Sequence, residues 1–104
     1  SKMFLCPQPL NIEYQDFLKK EDSRKVLFWF QKNLPQEGDV DAERLNQLVQ
    51  QGISDLGLKG KAFYKPLYLA LLHQDHGPEL PAIFSILGLK EVHNRIQEAL
   101  QLSL

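Results

Sequence analysis

Apolar positions recur along this chain at helical spacing and almost never at strand spacing. Asn11 is placed to cap a short helix running to about Lys20, although the apolar pattern there is weak. Asp22-Ser23 reads as a second helix start, after which Val26, Leu27, Phe30 and Leu34 share one face. Pro35 stops that segment, and Gly38 sits in the loop beyond it. Asp39 or Asp41 can cap a third segment whose stripe is Leu45, Leu48, Val49, Ile53 and Leu56, with Gly57 as a left-handed terminator. Residues 58–65, LKGKAFYK, read as a basic connection. Pro66 suits a first helical position, with Leu67, Ala70 and Leu71 behind it. His76-Gly77-Pro78 breaks the chain again. Leu80, Ile83, Phe84 and Leu87 form a further stripe closed by Gly88, and Leu89, Val92, Ile96 and Leu100 form the last. Glu91 and Arg95 pair at i,i+4 on what reads as its exposed side.

Alternation at period two never lasts, and the loops are short, so neighbouring helices should pack directly on one another. The expected fold is all-α: a compact bundle of five to six short helices. Pro7 and Pro9 make residues 1–10 a linker or lead-in, and 11–104 the helical domain. The first residue is Ser1 rather than Met, which suggests a processed chain, a fragment or an added end.

Composition narrows the possible functions. The chain has 104 residues, room for one modest core. Its 12 Lys plus Arg and 13 Asp plus Glu leave a net charge of -1, so any nucleic-acid role must rest on local clusters rather than bulk charge. No apolar run is long enough for a transmembrane helix, and no signal peptide is evident. The single cysteine, Cys6, excludes a disulfide framework and a cysteine zinc site; it suits a reducing, cytosol-like compartment and lacks a positioned base to make it a nucleophile.

Few residue groups suggest chemistry. His73 and His76 flank Asp75 but have no third metal ligand, so no metal site is expected. Asp39, Asp41 and Glu43 read as complements to a helix dipole. Gly52 to Gly57 has the glycine spacing of a phosphate loop, but Leu58 stands where its lysine is needed. Gly57-Leu58-Lys59-Gly60 matches a KH-type GXXG loop, without the sheet that such a domain requires. What remains is a basic and aromatic run, Lys59, Lys61, Phe63, Tyr64, Lys65 and Tyr68, followed by His73, Gln74 and His76. Ammoniums neutralise phosphates and tyrosine rings stack on unstacked bases. Composition alone favours a plain solvated connection with Phe63 and Tyr64 as anchors. Of Phe28-Trp29-Phe30, three adjacent positions that cannot share one helical face, one is free to reach a neighbour.

Residues 60–100, GKAFYKPLYLALLHQDHGPELPAIFSILGLKEVHNRIQEAL, resemble the C-terminal anticodon-binding domain of glutamyl-tRNA synthetases, a class I family. That pattern is a GK element, PLR-x-ALTG, three residues, GP-x-L, a leucine-rich helix, LG-K-E and a final R-L/I helix. It is matched by Gly60, Lys61, Pro66, Leu67, Ala70, Leu71, Gly77, Pro78, Leu80, Leu87, Gly88, Lys90, Glu91, Arg95 and Ile96. Two departures stand out. Tyr68 replaces the arginine of PLR, and Leu72-His73 replaces the Thr-Gly pair. Tyr68 can stack but supplies no charge, so base reading is expected to be weakened, altered or lost, or relaxed at one anticodon position, which would suit a synthetase that charges more than one tRNA; whether tRNA-Gln is also charged does not follow from the sequence.

The resemblance implies a helical cage that recognises the anticodon loop of tRNA-Glu and performs no catalysis itself. No catalytic residue is expected here, and no cofactor. ATP and magnesium would serve the catalytic domain of the same parent chain. The expected RNA-binding residues are Lys59, Lys61, Lys65, Tyr68, His73, Gln74, His76, Gly77, Pro78 and Leu80; only Lys61 and the Gly77-Pro78 turn come from the resemblance. The remaining expectations are a monomer, no membrane, and a cytoplasmic or organellar-matrix location. The alternative is a helical protein-interaction module derived from the same domain, docking through the Phe28-Trp29-Phe30 run.

Overall fold

A computed structural model describes residues 10–102. The linker assigned to 1–10, apart from Leu10, lies outside those residues, as does Cys6. Five helices follow in order: α1 Ile12–Leu18, α2 Glu21–Asn33, α3 Ala42–Leu56, α4 Lys61–Leu72 and α5 Leu80–Gln101. No strand is present among the described residues. The described residues are 21 Å deep along their shortest axis, the depth of two helical layers.

The caps explain several boundaries. Asn11 Oδ1 accepts from the Tyr14 amide at 2.8 Å, and Asp41, not Asp39, accepts from the Arg44 amide at 2.7 Å. Gly57 ends α3 at φ 68, in the left-handed region. Helix α1 stops at Leu18, slightly before Lys20.

Three boundary or surface expectations need correction. Asp22-Ser23 does not cap α2, which begins at Glu21 after an extended Lys20 with no side-chain cap. Ser23 is instead buried, and its hydroxyl donates to the Phe17 carbonyl at 2.8 Å, bracing the α1–α2 junction. Residues 58–65 are not a connection throughout, because α4 starts at Lys61 and Pro66 lies inside it. The reason is packing: the stripe begins at Phe63, fully buried, and continues through Leu67, Ala70 and Leu71. Burying that ring outweighs the one helical hydrogen bond that Pro66 cannot donate.

The third correction concerns Arg95, which is buried at 7% exposure rather than on a solvent face. Its Nε donates to Glu91 Oε2 at 2.8 Å and its Nη1 to the Leu71 carbonyl at 2.6 Å. That carbonyl belongs to the last turn of α4, where no intrahelical donor remains. The guanidinium of α5 thus completes the end of α4.

The core joins Leu18 of α1, Val26, Leu27 and Phe30 of α2, Leu45 and Val49 of α3, the stripe of α4, and Ile83, Phe84, Val92 and Ile96 of α5. The α2–α4 pairing is the most extensive, and α4 also touches α1 and α5. Gly52, inside α3, lets that helix approach: a Cβ there would sit 3.0 Å from the Phe63 ring and 3.2 Å from Trp29. Gly88 takes φ 78 and ψ 156, outside the helical region, so α5 is two helical segments meeting at a sharp kink, where the sequence places the end of one apolar stripe and the start of the next. The amide after the kink, Leu89 N–H, donates to the Gly38 carbonyl at 3.1 Å. His93 Nε2 meets the Pro35 carbonyl at 2.7 Å, so α5 fastens the loop between α2 and α3 at two points.

His73 ends α4 with φ 59 and ψ 28, a left-handed conformation that costs a β-carbon residue about 1–2 kcal/mol. The synthetase pattern has glycine at this place. His73→Gly is therefore expected to raise unfolding stability by about 1 kcal/mol in chemical denaturation. Arg95→Met removes the donor to the buried Leu71 carbonyl while keeping bulk, and should lower stability by about 1–3 kcal/mol in the same assay.

Candidate nucleic-acid interface

The buried stripe of α4 leaves one face towards solvent. It carries Lys61, Tyr64, Lys65 and Tyr68, spaced i, i+3, i+4 and i+7. Tyr64 and Tyr68 are half-buried; the Tyr64 ring stands edge-on to Phe63 at 5.4 Å between centroids. The Tyr68 hydroxyl donates to the Pro78 carbonyl at 2.8 Å, tying α4 to the turn before α5. Burial, then Tyr64 and Glu79, push the Tyr68 phenol above its ordinary range, so it remains a protonated donor at neutral pH.

Two hollows meet at these rings. One, of about 340 Å³, is lined by Ala42, Asn46 and Val49 of α3, by Tyr64 and Tyr68, and by Glu79, Leu80 and Pro81. The other, of about 230 Å³, is lined by Gly60, Lys61, Tyr64, Lys65, Tyr68 and Asp75. Flat rings, an amide and a carboxylate thus surround one space, and two ammoniums, with the Asp75 carboxylate and the same rings, border the other. That division matches the two halves of a nucleotide, base and phosphate.

The structure brings Lys61, Lys65, Tyr68, Pro78 and Leu80 together. Leu80 is buried, forming floor rather than rim. Lys59 is exposed on the short α3–α4 turn. Gly77 permits close approach, since a Cβ there would lie 2.7 Å from Leu72 Cδ1 and 3.6 Å from the Tyr68 ring. Gln74 and His76 are exposed beside this turn, and His76 Nδ1 lies 2.8 Å from Asp75 Oδ1. That contact is the first cause holding the Asp75 carboxyl below its ordinary range. His73 does not join the group. It lines a separate cavity of about 730 Å³ with Glu91, Arg95 and Glu98.

Sequence reasoning missed Asn46 and Glu79 as walls of the groove. Asn46 is the residue after a core leucine on another helix, and no motif marks it. Glu79 is the unspecified position of GP-x-L. Tyr64 carried a visible signal, four residues before Tyr68, but reads equally as a core anchor.

The Phe28-Trp29-Phe30 run divides between core and surface. Phe30 is fully buried, and Trp29 is half-buried with its Nε1 donating to Asp55 Oδ2 at 3.1 Å. Phe28 is 46% exposed, with the Arg24 guanidinium over its ring at 5.6 Å. Among the described residues no group of three His, Cys, Asp or Glu could hold a metal ion. The Gly52–Gly57 spacing lies along α3 and its cap, with Gly52 packed on aromatic rings, so it forms no phosphate loop. No helix among the described residues is long and apolar enough to cross a membrane.

Comparison with known proteins identifies the family. A family model described as an anticodon binding domain matches residues 1–100. Glutamate–tRNA ligase 2 of Caldanaerobacter subterraneus subsp. tengcongensis is 32% identical over 90 residues, covering 86% of this chain and 19% of that protein. The glutamate–tRNA ligase of Listeria innocua is 32% identical over 89 residues, covering 86% of this chain and 18% of its own length. Glutamate–tRNA ligase 2 of Coxiella burnetii is 44% identical over 57 residues, 55% of this chain and 12% of that protein. The chain spans less than a fifth of the length of these relatives, and the matched part is not catalytic. The chain belongs to the family of anticodon-binding domains, of the kind found in glutamate–tRNA ligases.

Proposed function

We propose that this chain binds the anticodon stem-loop of tRNA-Glu and presents that tRNA to the catalytic domain of a longer glutamate–tRNA ligase. The observation that carries the reading is the pair of hollows meeting at Tyr64 and Tyr68. A splayed base enters the larger one against the tyrosine rings, with Asn46 and Glu79 meeting its edge. Its phosphate lies towards Lys61 and Lys65. The Tyr68–Pro78 hydrogen bond holds the turn at the rim, so the groove is formed before RNA arrives. Lys59, Gln74 and His76 border the turns on either side of α4 and serve as outer contacts. His73 acts through the shape of the turn rather than by touching the base.

In this reading ATP and magnesium belong to the catalytic domain of the longer ligase. The protein acts as a monomer in the cytoplasm or an organellar matrix. Docking of a protein partner on Trp29 has weaker support, since that indole is half-buried and its N–H already engaged.

The test is a binding titration with a tRNA-Glu anticodon stem-loop, at low and moderate salt, beside a base-swapped loop. The expected result is salt-sensitive binding that discriminates against the swapped loop. Tyr68→Ala should weaken binding by about 1–3 kcal/mol, the range for losing a stacked base, whereas Tyr68→Phe keeps the ring and should retain most of it. Equal binding of both loops by the unaltered chain would sink the reading.

A further inference from the structure

Lys61 and Lys65 border two hollows at once. On one side they face the tyrosine rings; on the other they line a hollow of about 430 Å³ with Phe17, Lys20, Glu21, Asp22, Ser23 and Ala62. Phe17 organises this second hollow. The Lys65 ammonium lies 4.5 Å from its ring centroid and the Lys20 ammonium 5.2 Å, so both cations rest on one aromatic ring. The two are therefore within about 10 Å of each other, near the screening length of ~0.1 M salt, and they repel. Ser23 keeps the ring in place through its bond to the Phe17 carbonyl. Neither Lys20 nor Lys61 has an ion-pair partner among the described residues, and Lys65 feels the Asp75 carboxylate across the neighbouring hollow without an ion-pair contact. Of the two carboxylates at the rim, Glu21 is taken by Lys25 at 3.3 Å, which leaves the hollow with an excess of positive charge.

We propose that the α1–α2 junction is a second RNA-backbone contact: a strand leaving the tyrosine groove crosses Lys61 and Lys65 and places its next phosphates against Lys20. This rests on the reading of the chain as an RNA binder and extends its footprint to the α1–α2 junction, outside residues 60–100, which carry the motif resemblance. An anionic backbone relieves the repulsion between the two ammoniums that share the Phe17 ring. The contact is with phosphate and carries no base preference.

The experiment measures the dependence of stem-loop affinity on salt for the unaltered chain, Lys20→Gln and Lys32→Gln. Lys32 lies in the last turn of α2, at the far end of that helix from the hollow, and serves as a charge-matched control. Lys20→Gln should lower the slope of log affinity against log salt by about 0.7, the value for one phosphate contact on a single strand, while leaving discrimination against the base-swapped loop unchanged. Lys32→Gln should keep the slope of the unaltered chain. An unchanged slope in Lys20→Gln, or an equal drop in Lys32→Gln, overturns the second contact while the proposed function stands. Absence of binding by the unaltered chain overturns both.

Discussion

A helix buried along most of its length has nowhere to send its terminal carbonyls, and that constraint governs this fold. Helix α4 buries Phe63, Pro66, Leu67, Leu69, Ala70, Leu71 and Leu72. Leu71, in its last turn, is fully buried, and Arg95 reaches across from α5 to the Leu71 carbonyl. A buried guanidinium needs a counter-charge as well as acceptors, and Glu91 supplies it one turn away. The hydrogen bond that completes α4 therefore also fixes how α5 crosses it.

The same burial decides where recognition can occur. Once the apolar stripe of α4 is committed to the core, the residues at the complementary angle are the ones left for solvent, and these are Lys61, Tyr64, Lys65 and Tyr68. The face proposed for recognition is thus the reverse of the core face. It is rigid for that reason: its side chains stand on a helix held by α1, α2 and α5. The walls contributed by Asn46 and Glu79 come from separate elements, whose distance from α4 is set by Gly52 and by the turn at Gly77.

Much of this was legible in the residues, and the misses have physical causes. Asn11, Asp41 and Gly57 act locally, through a side chain or a dihedral angle, so their roles as caps could be read directly. The start of α4 was obscured by Pro66, which normally marks a first turn; the buried Phe63 stripe overrode that signal. Arg95 four residues after Glu91 has the spacing of a surface pair, and only tertiary packing reveals a carbonyl waiting for it. His73 lies five residues beyond Tyr68, about 140° further round an ideal helix, and its left-handed backbone carries it to another cavity. Asn46 and Glu79 have no signature in sequence because a groove wall is a matter of proximity alone.

The kink at Gly88 has a topological consequence. By leaving the helical ladder at φ 78, it turns the Leu89 amide outward to the Gly38 carbonyl, and this one bond closes a ring of chain that contains both α3 and α4. Leu89 itself is 1% exposed, so its amide exchanges with solvent only when that ring opens. A single slow-exchanging proton at Leu89 is thus a clasp indicator: it reports whether α5 is seated on the loop that leads into the groove wall of α3.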